Sequence, residues 1–275
     1  MNAKLRWPLR AGAVLLAVYA GVIVLMKANE DRMVFVPSPY PGDEAARALG
    51  SDTCEAVKVT SRDGSSLDAL LARHPAPERH VAFFHGNGGN VHYMGRAIRS
   101  LSESLSATVL AVDYRGYGRS AGVPGEQGVL EDGEAAAARL ADLAGVPRRE
   151  IVVMGHSLGG AVAVHVAATG GAKALVLENT FVDLPDVASR TYPWLPVRAL
   201  MKNRFDSGEK ILRYDGPLFQ RHATHDSLVP LASGRALFER SPSKNKRFFE
   251  VDRGDHNDGA PDAYYVALLA FLRGS

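Results

Sequence analysis

Cysteine occurs once in this chain, as Cys54 among 275 residues. A lone thiol closes no internal disulfide and is too little for a zinc site built on thiolates. The glycine patterns that cradle nucleotide phosphates are missing too. GYGRSAG at 116–122 comes nearest, but its last glycine falls one residue too far for G-x-G-x-x-G. There is no internal repeat or low-complexity tract. Hydrophobic residues at 46% and charged residues at 23% sit near globular averages, which excludes wholesale disorder, collagen and coiled coil. Excess positive charge is also absent from most of the chain. The net charge of +2 hides a first 27 residues in which Lys4, Arg6, Arg10 and Lys27 face no acidic residue. The remainder carries 28 Lys+Arg against 30 Asp+Glu. No basic stripe is left to neutralise phosphates, so a nucleic-acid partner is excluded.

What the N-terminus does have is sixteen consecutive uncharged residues, Ala11 to Met26. As a helix this run is ~24 Å long, slightly short of a ~30 Å hydrocarbon core. Trp7, Pro8 and Leu9 extend it, and Arg10 and Lys27 can snorkel. A cleaved signal peptide shares the basic start and apolar run, but its small-residue cleavage pattern should follow the run. Here the run ends in Leu25, Met26, Lys27 and Ala28, while Val18-Tyr19-Ala20 lies inside it. We therefore expect an uncleaved transmembrane anchor over 1–32 and one catalytic-size domain over 33–275. Lys27 and Arg32 after the span are offset by Glu30 and Asp31. The positive-inside rule then keeps the N-terminus cytoplasmic and exports the rest, to the periplasm if the cell is bacterial.

Residues 30–52, with PSPYPG at 37–42, read as a linker and leading loop. Glu55–Ser61 and Ser66–Arg73, split by Asp63-Gly64, predict a β-hairpin. Then come four short apolar runs, VAFF (81–84), TVLAV (108–112), IVVM (151–154) and ALVL (174–177), of the kind found in buried parallel strands. The stretches 92–106, 126–144 and 158–170 between them have helical spacing. Later runs at 218–220 and 247–251 alternate with helix-like 231–240 and 261–273. The expected fold is α/β, a mostly parallel sheet flanked by helices.

Ligands of such sheets bind beyond the carboxyl ends of the strands. The residues there are HGNGGN, DYRGYG, GHSLGG, ENTF, HATHD and GDHND. Gly155-His156-Ser157-Leu158-Gly159 follows a strand and opens an alanine-rich helix, the context in which G-x-S-x-G presents a nucleophilic serine. The competing possibility is a serine that only caps a helix. In HGNGGN the glycines let backbone N–H groups approach a substrate carbonyl. Asn87 N–H and Leu158 N–H are the candidate oxyanion donors. His85 is expected to anchor that loop and His156 to be local structure. A serine needs a base, and the base an orienting carboxylate, in the chain order Ser, acid, His. His256, in a flexible turn after the last strand, is the candidate base; His222 and His225 lie too close to the acid position. Asp226 is the candidate acid, with Glu178 as its rival, and Asp255 and Asp258 are read as turn residues.

Taken in order, PSPYPG, HGNGGN, DYRGYGRSAGVPGEQG, GHSLGG, ENTFVDLPDVA, THDSLVP and GDHND resemble the α/β-hydrolase fold superfamily over about residues 33–273. The chain looks most like its membrane-anchored serine hydrolases of the α/β-hydrolase-domain type. The resemblance implies triad roles for Ser157, Asp226 and His256, oxyanion N–H groups from Asn87 and Leu158, and a structural role for Asp113 and Arg115. Relatives often have another glycine before the histidine of GDHND. Thr180 to Gly216 leaves room for one or two helices and at most a small lid. Trp194, Leu195, Val197, Leu200 and Met201 either line an acyl pocket there or pack on the core. The implied chemistry is hydrolysis of a carboxylic ester or thioester, on a small-molecule or lipid acyl substrate, with no metal or organic cofactor. A serine peptidase or amidase uses the same triad, and a non-catalytic binding protein is compatible with the fold.

Overall fold

The four apolar runs become the middle of one eight-stranded sheet. Its strands are β1 (Glu55–Thr60), β2 (Ser66–Ala72), β3 (Arg79–Phe84), β4 (Ala107–Val112), β5 (Ile151–His156), β6 (Ala174–Glu178), β7 (Leu218–Ala223) and β8 (Lys246–Val251). This computed structural model describes residues 3–275, with side chains from Arg10 onward. Met1 and Asn2, and the side chains of Lys4, Arg6, Trp7, Pro8 and Leu9 that enter the anchor expectation, lie outside the described residues. The strand order is β8-β7-β6-β5-β3-β4-β2-β1. Only β2 runs against its neighbours, β1 and β4; the other pairings are parallel. The predicted hairpin is β1–β2, closed where Thr60 pairs with Ser66.

A sheet covered on both faces buries alternate side chains into two cores, which is why its central strands read as unbroken apolar runs. Leu71, Ala82, Leu110 and Val153 pack on one side, beneath α4 (Glu126–Ala144) and α5 (Leu158–Gly170). Leu70, Val81, Val109 and Met154 pack on the other, beneath α3 (Gly95–Ser104) and α9 (Asp262–Arg273). Further helices include α1 (Ala3–Ala28), α2 (Glu30–Val34), α6 (Leu184–Thr191), α7 (Val197–Leu200) and α8 (Leu231–Arg240). The short helices α6 and α7 form the small lid. In α1, Arg10–Ala28 has a mean hydropathy of 2.1 with none of the stretch buried. By length and composition it can cross a membrane.

The stretch 30–52 departs from the expected linker. It holds α2 and a further helix, Asp43–Ala48, and between them Val36–Pro37 pairs in parallel with Gly88–Gly89. Phe35 is buried and meets Phe205 edge-on at 6.0 Å. The Asn90 side-chain amide donates to both the Ser38 and Pro39 carbonyls at 3.0 Å. Prolines deny this stretch a regular ladder, but tertiary contacts order it all the same.

Asp113 and Arg115 are held in the body of the fold. Asp113 Oδ1 accepts Val91 N–H at 2.8 Å. Arg115 grips fully buried Asp132 through Nη2 at 2.7 Å, and Ser61 Oγ donates to the same carboxylate at 2.7 Å. Removing Asp132 takes from Arg115 its buried partner and leaves it the half-exposed Asp63 at 2.8 Å, and lost hydrogen bonds to a charged group cost about 1.5–3 kcal/mol. Asp132→Ala is therefore expected to lower stability by about that amount in denaturant titrations in detergent. Arg119→Ala, which breaks an exposed ion pair with Asp43, should change it by less than about 1 kcal/mol.

Candidate active site

The turn from β5 into α5 is made by one residue. Ser157 has φ 55° and ψ −120°, in the left-handed half of backbone space that a side chain rarely adopts. Its neighbours explain why glycine flanks it two residues away on each side. A Cβ on Gly155 would drive into the Gly159 carbonyl, and one on Gly159 into the Phe84 carbonyl. Such backbone strain costs about 1–3 kcal/mol. Three hydrogen bonds hold the turn against it: Ser157 N–H to the Glu178 carbonyl at 2.9 Å, and Gly160 N–H and Thr180 Oγ1–H to the Ser157 carbonyl at 2.9 and 2.8 Å.

Ser157, His256 and Asp226 come together, although they lie on three separate loops. Ser157 Oγ is 2.9 Å from His256 Nε2, and His256 Nδ1 is 2.7 Å from Asp226 Oδ2. An ionised carboxylate only accepts, so Nδ1 carries the proton and Nε2 is free to accept from the serine hydroxyl. The Asp226 side chain is fully buried. Burial pushes its carboxyl up. The hydrogen bonds from His256 and from Val229 and Leu228 N–H outweigh this and hold it below the usual carboxylate range.

The rival acid is engaged elsewhere: Glu178 is paired with Arg221 at 3.1 Å. His222 is fully buried and donates from Nε2 to the Val229 carbonyl at 2.8 Å, while His225 is exposed. His85 is buried against Tyr114 and Tyr117, whose hydroxyls donate to the His85 and Asn87 carbonyls at 2.8 and 2.7 Å. Asn87 also accepts Val36 N–H through the same carbonyl at 2.9 Å, and its side-chain amide donates to the Val34 carbonyl at 3.1 Å. Among the described residues its own N–H has no partner. Leu158 N–H opens α5, where helix geometry leaves it unpaired. Asn87 and Leu158 both line a cavity of about 560 Å³ with Ser157 and His256. Asp255 ties the two loops, accepting Ser227 N–H and His256 N–H at 2.8 and 2.7 Å.

Two contributors escaped sequence reasoning. Asn179 has φ 46° and a fully buried side chain; its amide donates to the His256 carbonyl at 2.7 Å and its oxygen accepts Ala223 N–H at 3.0 Å. It clamps the histidine loop to the end of β7. The only signal was its place in ENTF. The second is α1, whose Ile23, Met26 and Lys27 line the same cavity as Ser157. Leu195, Val197, Leu200 and Met201 line it too, whereas Trp194 does not; its carbonyl accepts from Tyr19 at 3.0 Å instead. Away from this site, Asp68, His92 and Asp113 bring potential ligand atoms within 4.8 Å of one another. Lys58 Nζ and His92 Nε2 already bind Asp68 at 3.1 and 2.8 Å. With an ammonium in place, this is a packing network rather than a cation site.

The fold and the site define an α/β hydrolase. The sequence model of the Alpha/beta hydrolase family matches residues 81–273. An uncharacterized protein of Mycobacterium tuberculosis is 32% identical over 250 residues, covering 90% of this chain and 87% of that protein. An uncharacterized membrane protein of Saccharomyces cerevisiae is 29% identical, covering 79% of each chain. The solved structure of the Pyrococcus furiosus esterase Pf2001 has the same fold, with a TM-score of 0.68, 20% identity, and coverage of 88% of this chain and 97% of that one. The chain belongs to the alpha/beta hydrolase family.

The His156 ring lies tilted at 46° beside that of His256, with ring centroids 5.0 Å apart. Burial pulls its imidazole down to about 4, against the opposing pull of Glu178. It is thus neutral at pH 7, and no second imidazolium opposes charge on His256. In the unfolded chain it takes a proton near pH ~6.5. Its contribution to stability is therefore full above that pH and is lost as pH falls from there towards 4. Thermal melts across this window should show a shallower loss of stability in His156→Asn than in wild type.

Proposed function

We propose that this chain is a membrane-anchored serine hydrolase that cleaves carboxylic esters or thioesters through an acyl-enzyme on Ser157. The reading rests on the hydrogen-bonded line from Ser157 Oγ through His256 to Asp226, at 2.9 and 2.7 Å. Ser157 Oγ attacks the substrate carbonyl carbon while His256 Nε2 takes its proton. Asp226 orients the imidazole and stabilises its positive charge. Negative charge developing on the carbonyl oxygen meets Asn87 and Leu158 N–H, and one such donor is typically worth ~2.7–4 kcal/mol. The tetrahedral species collapses, the bond to the leaving alcohol or thiol breaks, and His256 returns the proton to it. Water, activated by the same histidine, then attacks the acyl-enzyme and releases the carboxylic acid. Base, acid and oxyanion donors all come from the chain, so no cofactor is required.

In this reading residues 1–32 are the anchor and 33–275 the catalytic domain, with the N-terminus cytoplasmic. The uncharged span of α1 and the likeness to a yeast membrane protein support the anchor. The asymmetry of Lys and Arg around the span supports the orientation.

A fluorophosphonate is expected to label wild type and not Ser157→Ala; equal labelling of both sinks the assignment. Asp226→Asn should lower turnover of p-nitrophenyl butyrate by roughly 10⁴-fold through loss of the correct histidine tautomer. Faster cleavage of peptidyl amides than of esters would instead make the enzyme an amidase. For orientation, an impermeant maleimide on intact cells should label Ser275→Cys in a Cys54→Ser background. It should spare Asn2→Cys in the same background.

A further inference from the structure

The last turns of α1 are part of the candidate site. Ile23 and Met26 form one side of the 560 Å³ cavity that reaches Ser157, with Leu195 and Met201 of the lid among its other walls. The lid runs back along the anchor. Tyr19 Oη donates to the Trp194 carbonyl at 3.0 Å, and the two rings are 6.3 Å apart. Tyr19 lies nine residues before Ala28, a helical rise of about 13 Å, which compares with the ~15 Å hydrocarbon thickness of one leaflet. An anchor spanning the bilayer therefore brings the turn of the lid that carries Trp194 into the leaflet with it. Several large apolar side chains outside the span are exposed, and those beside the cavity include Trp194 at 55%, Met33 at 40% and Leu228 at 56%, the last two on the cavity itself. The junction is fastened. Buried Glu30 accepts Lys202 N–H and Asn203 N–H at 3.0 and 2.8 Å, which fixes the start of α2, one residue beyond α1, to the end of the lid. A second cavity, of about 490 Å³, also touches Ser157 and His256, and it carries His156, Glu178, Arg221 and Asp258.

We propose that the first cavity draws a long acyl chain sideways from the bilayer, with the anchor helix as one of its walls, so that the substrate is a membrane-resident long-chain acyl ester or thioester. This rests on the esterase reading of Ser157. The acyl chain lies along Ile23, Met26 and the lid, its carbonyl reaches Ser157, and the polar leaving part occupies the second cavity. A glycerolipid and an S-acylated protein offer the same acyl group.

Two measurements on the full chain in phosphatidylcholine vesicles test this. In the first, palmitic acid carrying a chain-borne diazirine is photolysed with the Ser157→Ala protein. Adducts on Met26 and Leu195 are expected; adducts confined to the outer anchor face, such as Leu15 and Leu16, overturn the proposal. In the second, kcat/KM is compared for p-nitrophenyl laurate and butyrate. The laurate-to-butyrate ratio should fall at least tenfold in Met26→Trp and stay unchanged in Val24→Trp, whose side chain points away from the cavity. An unchanged ratio in Met26→Trp overturns the proposal. Wild type that hydrolyses neither ester fails the esterase reading, while the adduct map still decides whether the cavity holds an acyl chain. Fatty acid released from glycerolipid vesicles or from an S-palmitoyl peptide identifies the source; release from neither overturns the proposal.

Discussion

One residue has to turn the chain from a buried strand into a buried helix, and the site is arranged around how Ser157 does so. Its positive φ lifts the side chain clear of β5 and leaves the first N–H groups of α5 pointing past it. The turn is so tight that Gly155, Gly159 and the β3 backbone nearly touch. That contact fixes where the loop after β3 can run. A Cβ on Gly86 would lie 3.5 Å from Ser157 Cβ, so the loop bearing Asn87 passes directly beside the serine. The strain, about 1–3 kcal/mol, is comparable with three hydrogen bonds at about 1 kcal/mol each. Two of those come from or go to residues 178–180. The end of β6 is thereby drawn into the same construction, and with it Asn179, which holds the His256 loop.

The buried carboxylate is the second demand. A charge as enclosed as Asp226 costs several kcal/mol to desolvate unless it is well paired. It accepts three hydrogen bonds, from His256, Val229 and Leu228. Hydrogen bonds to a charged group contribute about 1.5–3 kcal/mol each, which is enough to keep the ionised form. Glu178 meets the same demand with Arg221, and so is unavailable to the histidine. Two carboxylates on one rim are separated in role by which cation or donor each has captured.

These facts also explain what could be read in advance. The central strands and their helices were legible because a parallel sheet buried on both faces leaves unbroken apolar runs, and short loops put reactive residues at predictable ends. VAFF and IVVM are cases in point. Asp226 was favoured over Glu178 by its place in the loop after the penultimate strand, without knowledge of Arg221. Residues 30–52 were misread because their order comes from Phe35 meeting Phe205 and from Asn90 reaching Ser38 and Pro39, contacts between residues far apart in sequence. Trp194 was grouped with the lid's apolar residues by spacing alone. Its partner, Tyr19, lies 175 positions away, and no local pattern links them.

On the proposed reading, α1 does more than tether the domain. A tether that only located the domain would work best with a flexible, solvated link, since ordering backbone costs about 1–2 kcal/mol per residue. This chain does the opposite. It passes from α1 to α2 through Asn29 alone and buries the Glu30 carboxylate against Lys202 and Asn203 N–H. Burying a carboxylate to hold a junction makes sense only where the junction's geometry matters. On the proposed reading, that geometry sets the distance from the apolar span to Ser157, and with it which part of a substrate would lie in lipid while its carbonyl reaches the serine.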